Sequence, residues 1–298
     1  MKSVARRCVA GVCSMAEWLR PGAEARAPWD RSILDDIAMR RPWNLVVKAS
    51  RLRGRIRLRS LRDGVTVVIV NWNTCEVTAD VISAVQHFSP PDVRVLVVDN
   101  GSTDASVEML RNRMGVETMF LHSNAGHGAA LDIAVSSVRT RVAVTLDSDA
   151  IPLSLDWLEP AVAPVRSGRA LLAGSRSSRN FVHPIYLAVD VAEFVRRNLS
   201  FQVHRRPAFE GDTDRWGVNA WDTAELLTPR LPADRVVFVD TTPNPAKDLP
   251  GMTAGGVVYH HGGVSRTASG KVDADALAKW SATCAALGLA FLERDTSS

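Results

Sequence analysis

Aromatic side chains are scarce in this chain: two tyrosines, eight phenylalanines and eight tryptophans make up 6% of its 298 residues. Cysteine is scarcer, at four. Cys8, Cys13, Cys75 and Cys284 form no C-x-x-C pair, and no His or Cys cluster has zinc spacing. A disulfide framework is therefore not expected, and a reducing compartment fits better. No apolar run is long enough to cross a bilayer. The opening MKSVARRCVAGVCSMA places basic residues before an apolar patch too short for a secretory signal, so a cytoplasmic protein is expected. No G-x-G-x-x-G follows the first apolar run, which disfavours a dinucleotide oxidoreductase, and the absence of G-x-x-x-x-G-K-[ST] excludes a P-loop enzyme.

What charge there is lies unevenly. The formal net charge is +4, but the excess sits in the first sixty residues, above all in Lys48–Arg62, KASRLRGRIRLRSLR. The remainder is close to neutral, so a nucleic-acid partner is not expected. Residues 1–62 read as a partly helical basic extension, broken at Pro21, Pro28 and Pro42. Its arginines are either a solvated face or a peripheral contact with an anionic membrane.

From Val65 the pattern changes. VTVVIV, VRVLVV and VAVTL are β-branched apolar runs that read as strands buried on both faces. A shorter strand is expected at about Glu117–His122. Helical stretches lie between them, at Glu76–Phe88, Ala105–Arg113 and Ala129–Val138. The order strand, helix, strand, helix, strand, helix, strand predicts a mostly parallel α/β sheet with right-handed crossovers. Each strand ends in polar residues: Asn71, Asp99, Asn124 and Asp147. Core packing does not require this, whereas ligands of open α/β sheets bind at that rim. Two carboxylates one residue apart, Asp147 and Asp149, can hold a hard divalent cation such as Mg²⁺ or Mn²⁺. The alternative is a polar turn with a cap.

The succession VTVVIVNWN, VLVVDNGSTD, SNAGHGAALDIA and VTLDSDAIP resembles family 2 glycosyltransferases of the GT-A fold. The resemblance implies a GT-A domain over 63–298, with a nucleotide-sugar half at 63–152 and an acceptor half at 153–298. It implies a UDP- or dTDP-sugar donor and a glycan, lipid-linked or small-molecule acceptor. It places Asp99 against the nucleotide base, Asn71 and Asn73 around the nucleoside, and Asn124 and Gly126 in the N-x-G loop. Asp147 and Asp149 take the D-x-D motif, with Asp149 as direct metal ligand. The chain departs from the common pattern at Asp132, where Asn is more frequent, and at His127, where an aromatic is common. A late histidine is implied in the metal shell; of His260 and His261, the expectation favours His261. Adjacent residues of a strand face opposite ways, so only one of the pair faces the site. Arg266 is a candidate phosphate contact.

The second acidic cluster lies in FEGDTDRWGVNAWDTAELL, Phe209–Leu227. By the resemblance, Asp222 takes the place of the general base of an inverting enzyme, at the head of a helix; Asp214 and Glu225 are rivals. Trp216 and Trp221 suit sugar stacking or core packing alike, and His183 suits the acceptor side or a structural role. Two alternatives to a glycosyltransferase stand beside this reading. One is a haloacid-dehalogenase-type phosphohydrolase, which carries D-x-D on its first strand. The other is a non-catalytic nucleotide- or membrane-binding descendant of the fold.

Overall fold

The computed structural model describes residues 28–202, 222–244, 250–262 and 274–289, with the backbone alone for 28–42. Asp214, Trp216, Trp221 and Arg266 lie outside the described residues. Helix α1, Pro28–Arg57, precedes strand β1, Arg62–Asn71. There follow α2 (Cys75–Phe88), β2 (Arg94–Asp99), α3 (Ser106–Asn112), β3 (Glu117–Phe120), α4 (His127–Ser137) and β4 (Thr140–Asp147). The second half holds β5 (Ala150–Pro152), α5 (Glu159–Arg166), β6 (Leu172–Arg176), β7 (Val182–Asp190) and α6 (Val191–Arg196). It continues with β8 (Val236–Val239), β9 (Thr241–Pro243), β10 (Met252–Ala254), β11 (Val258–His260) and α7 (Ala274–Ala286).

Seven strands form the main sheet in the order β3-β2-β1-β4-β7-β6-β8. The first four pair in parallel, and β7 joins β4 antiparallel. This is the α/β arrangement expected from the sequence, a mostly parallel sheet between helices. The apolar runs are buried on both faces, as parallel sheets require. On β1, Val65, Val67 and Ile69 pack into a core with α2, α5 and α7. Val68 and Val70 pack into a second core with α4, α6 and the buried side of α1.

Two elements depart from expectation. Helix α1 runs through Pro42 without a break, and Trp43 and Val47 are buried beyond it. The centrally placed β7 contains Pro184, a residue that cannot donate to a ladder. Its pairing with β6 slips between Gly174 and Arg176, and its ladder with β4 begins at Tyr186, so Pro184 falls where no regular bond is needed.

Candidate active site

The carboxyl ends of β1, β2 and β4 lie side by side, because Val70 pairs with both Val98 and Asp147. At the nucleotide end of this rim, Asn71 is fully buried and its amide is spent inside the protein. Its nitrogen donates to Asp99 Oδ2 at 2.8 Å and to Ser102 Oγ at 3.1 Å, and its oxygen accepts from Thr74 and Thr78, each at 2.8 Å. Asn71 thus fixes the Asp99 carboxylate rather than offering free groups of its own. The other oxygen of Asp99 accepts from the Ser102 amide at 3.0 Å. A carboxylate has about four lone-pair sites, so Asp99 retains acceptor capacity for a further donor.

Asn73 sits at φ 54° and takes the Thr103 amide on its side-chain oxygen at 2.7 Å, tying the β1 and β2 loops together. Asn124 accepts from the amides of Asn100 and Gly126, at 2.9 and 2.8 Å, and so shapes the turn into α4. Gly126, at φ 83°, makes that turn. These residues build the rim rather than line it with unspent groups.

Gly101 holds the same loop from the other side, at φ 77°. A Cβ there would lie 2.5 Å from the Ser123 carbonyl carbon and 2.8 Å from the Asn124 amide nitrogen. Gly101→Ala is expected to cost about 1–3 kcal/mol from backbone strain alone. A loss of unfolding free energy of at least that size, read from urea denaturation, with weaker nucleotide binding, is the result to look for.

At the end of β4, Asp147, Asp149 and His260 each offer one ligand atom, all within 4.8 Å of one another. His260 Nε2 lies 3.2 Å from Asp149 Oδ1 and 3.6 Å from Asp147 Oδ2. The short sheet β5-β11-β10-β9 makes this meeting, because β11 pairs antiparallel with β5 and sets His260 opposite Ala150. The structure therefore brings His260, not the favoured His261, to the carboxylates. The physical reason is strand alternation. Tyr259 is fully buried and shares its face with His261, whose Nδ1 is 3.0 Å from the Tyr259 hydroxyl and whose ring packs edge-on to Trp280. Burial lowers the pKa of His261, outweighing the opposing pull of Asp149, so it stays neutral at neutral pH.

His127, the first residue of α4, adds its Nε2 at 3.4 Å from Asp147 Oδ1. Burial alone would raise the Asp147 pKa, but the His127 contact, with His260 and His183 behind it, holds it well below the usual carboxylate range. Two carboxylates and one imidazole fit a divalent cation that takes oxygen and nitrogen together, which suits Mn²⁺ better than Mg²⁺.

The expected helix at Asp222 is absent. Residues 223–227 form successive turns leading into a short 3-10 segment, and Ala224 takes φ 66°. No helix N-terminus therefore favours the ionised form of Asp222. Side chains do so instead. Its Oδ2 lies 3.7 Å from His183 Nε2 and 3.5 Å from Arg179, and its Oδ1 accepts from the Thr223 amide at 2.7 Å. The His183 contact is long for a hydrogen bond and becomes an ion pair only when the imidazole carries a proton. Burial works against ionisation, but His183, the Thr223 amide and Arg179 together bring the carboxyl to about 2. Asp222 remains about a third exposed, whereas Glu225 is buried, pairs with Arg179 at 2.7 Å and accepts from the Asp222 amide at 2.7 Å. Glu225 braces the turn that carries Asp222. Nothing in the sequence pointed to Arg179.

The profile of glycosyl transferase family 2 matches residues 66–221. The chain belongs to that family. Its D-x-D ends the fourth strand of the sheet, which together with family membership sets aside the phosphohydrolase alternative. No curated protein matches the chain. Among solved structures it is similar to a mannosyltransferase from Pyrobaculum calidifontis in complex with GDP-Man and Mn²⁺, at 18% identity over 57% of this chain and 59% of that one, with TM-score 0.40. It is similar to S. aureus TarS at 17% identity over 46% and 50%, TM-score 0.39. It is also similar to glucosyl-3-phosphoglycerate synthase from Mycobacterium tuberculosis with Mn²⁺ and UDP, at 18% identity over 63% and 73%, TM-score 0.45. The chain thus spans 59% and 50% of the first two proteins.

Proposed function

We propose that this family 2 glycosyltransferase moves a sugar, with inversion, from a nucleoside-diphosphate sugar to a hydroxyl acceptor. One observation carries the reading. His183 pairs with Asp222 and also acts electrostatically on Asp147, so the candidate base and the D-x-D carboxylates belong to one electrostatic site. In this reading Asp99 receives the base of the donor, at the nucleoside end of the rim. Asp149, Asp147 and His260 would hold Mn²⁺, which when bound supplies Lewis acidity toward the diphosphate leaving group. Asp222 accepts the proton of the acceptor hydroxyl as that oxygen attacks the anomeric carbon in line. His183 and Arg179 orient the Asp222 carboxylate. UDP- and dTDP-sugars are the donors to try first, and GDP-mannose belongs in the same panel.

The test is a calorimetric titration of nucleotide sugars with and without MnCl₂, followed by assay of nucleoside-diphosphate release. Binding that depends on Mn²⁺, with turnover, supports the proposal. Donor binding without turnover toward any acceptor favours the non-catalytic reading. Asp149→Ala is expected to weaken Mn²⁺-dependent donor binding at least tenfold while leaving the melting temperature of the free protein within a few degrees. Unchanged donor affinity in that variant removes Asp149 from the metal role.

A further inference from the structure

Helix α1 carries two apolar stripes. Trp43, Val47, Ser50 and Gly54, spaced i, i+4, i+7 and i+11, are buried against the domain. Leu45, Ala49, Leu52 and Ile56 repeat the same spacing two residues on, which turns them to the opposite side of the helix. That second stripe faces outward: Leu45 is 75%, Leu52 61% and Ile56 73% exposed. Three large aliphatic side chains in register on one solvent-facing stripe are not explained by packing within the described residues.

The flanks of the stripe are cationic. Lys48 and Arg55 lie along one edge, Arg53 along the other, and Arg59 follows in the next turn, all of them exposed. Residues 37–62 contain nine basic side chains and no acidic one. The inward arginines are used differently: Arg51 pairs with Asp132 at 2.8 Å, and Arg57 reaches the Ser137 carbonyl at 3.4 Å. Among the described residues no ion pair involves Lys48, Arg53, Arg55 or Arg59. An apolar ridge between two cationic edges matches the boundary of a bilayer with anionic headgroups, where acyl chains meet the ridge and phosphates meet the guanidinium groups. A second protein copy would bring the same uncompensated positive charge against itself, which disfavours that occupant. No helix among the described residues is long and apolar enough to cross a membrane, so the contact would lie along the surface.

We propose that the outer face of α1, built on Leu45, Leu52 and Ile56 and edged by Lys48, Arg53, Arg55 and Arg59, docks the enzyme on an anionic phospholipid surface. The anchoring of α1 gives this contact a fixed relation to the catalytic rim. Trp43 stacks on His122, with ring centroids 4.5 Å apart, in the same loop that carries Asn124. From there α1 runs alongside α4 away from the rim, Arg51 meeting Asp132 and Arg57 meeting Ser137, so the lipid plane would lie along the flank of the sheet with its Leu45 end beside the donor rim.

The experiment is vesicle flotation of the full chain with phosphatidylglycerol and phosphatidylcholine in equal parts, against phosphatidylcholine alone. The expected result is binding to the first only, weakened by salt. Arg53→Gln/Arg55→Gln/Arg59→Gln should lower the partition coefficient on the order of 100-fold, since each cation near such a surface is worth roughly fivefold. Leu45→Gln/Leu52→Gln/Ile56→Gln should lower it roughly tenfold or more, because the apolar insertion is lost. All replaced residues are exposed, so both variants should melt with the parent and bind nucleotide sugar like it. That control separates failure of this proposal from failure of the catalytic reading. No binding by the parent chain would overturn it. So would an apolar triple variant that binds like the parent, or a parent that sediments as a dimer which that variant dissociates without any lipid binding.

Discussion

Asp222→Asn is expected to bind donor like the parent chain and to lose about 10²–10⁴-fold in transfer rate, the usual contribution of a positioned general base. The amide keeps an oxygen for the Thr223 amide, which Asp222 Oδ1 now receives at 2.7 Å, so the turn should survive. What it cannot do is accept a proton. The low pKa of Asp222, about 2, shapes the expectation further. A carboxylate this acidic takes the proton late, once the new bond to the anomeric carbon has made the hydroxyl strongly acidic. It also stays ionised across the working range, so the acid limb of the pH–rate profile should not report Asp222. Its folded pKa lies below the unfolded value near 3.9, so the stability it contributes is present above that value and is lost as pH falls toward 2. Single-turnover rates with saturating donor, measured across pH, check the rate and its profile, and urea unfolding across the same range checks the stability. If Asp222→Asn transfers sugar at the parent rate, the base lies elsewhere, and the family assignment is untouched.

Glu225→Gln should behave differently. Glu225 is buried between Arg179 and the Asp222 amide, so its neutralisation removes the closer of the two carboxylates that face the Arg179 guanidinium, at 2.7 Å against 3.5 Å for Asp222. Loss of stability should accompany any loss of rate in that variant, whereas Asp222→Asn should separate the two.

The nucleotide half was legible because its signals are local. A run such as VTVVIV is buried on both faces whatever its register, and each run stops where the chain turns polar. Asn71, Asp99 and the D-x-D carboxylates therefore fell on one rim as soon as the strands were ordered. The second half was less legible because its elements are defined by partners far away in sequence. Strand β7 contains a proline and reads poorly alone, yet it lies between β4 and β6 because the slipped pairing absorbs Pro184. Strands β5, β9, β10 and β11 have three residues each, too few for periodicity to show, and they form a sheet only together.

The choice between His260 and His261 illustrates the same limit. The rule that neighbours on a strand face opposite ways was available from the sequence, but Val258 and Tyr259 are both buried, so the rule separates the two histidines without saying which turns inward. The pairing of β11 with β5 decides it: His260 is set opposite Ala150 and reaches the carboxylates, while His261 packs against Tyr259 and Trp280. At Asp222 the expectation of a helix came from an apolar spacing that instead fills a turn, with Ala224 and Leu227 buried. The charge-holding role assigned to a helix end passes to His183 and Arg179, residues about forty positions upstream that only the fold brings near.

Arg51→Met is expected to destabilise the protein by about 3–5 kcal/mol, the cost of leaving a buried carboxylate without its charge partner. Asp132 lies on α4 with no exposed surface and gathers four donors: Arg51 at 2.8 Å, the Ser200 hydroxyl at 2.7 Å, and the Phe201 amide and Gln202 side chain at 2.9 Å each. Even so, burial raises its pKa, with Arg51 the largest opposing influence. Removing Arg51 should raise it further. A carboxyl whose folded pKa is raised is favoured below the unfolded value and penalised as pH rises through the folded one. The gap between Arg51→Met and the parent should therefore be widest at neutral and alkaline pH and should narrow as acid protonates Asp132. Adding Asp132→Asn removes the charge that made Arg51 necessary. The new amide can still accept from Phe201, the Ser200 hydroxyl can turn from donor to acceptor, and the Gln202 amide can turn over. The double variant should thus recover roughly 2 kcal/mol or more of the single variant's loss, a coupling of the size neighbouring charges show. Urea unfolding of the four proteins of this cycle at two pH values measures the coupling and its pH dependence together. A single variant as stable as the parent, or a double variant no better than the single, would mean that Arg51 holds α1 to the domain by packing and that Asp132 is satisfied by its neutral donors alone.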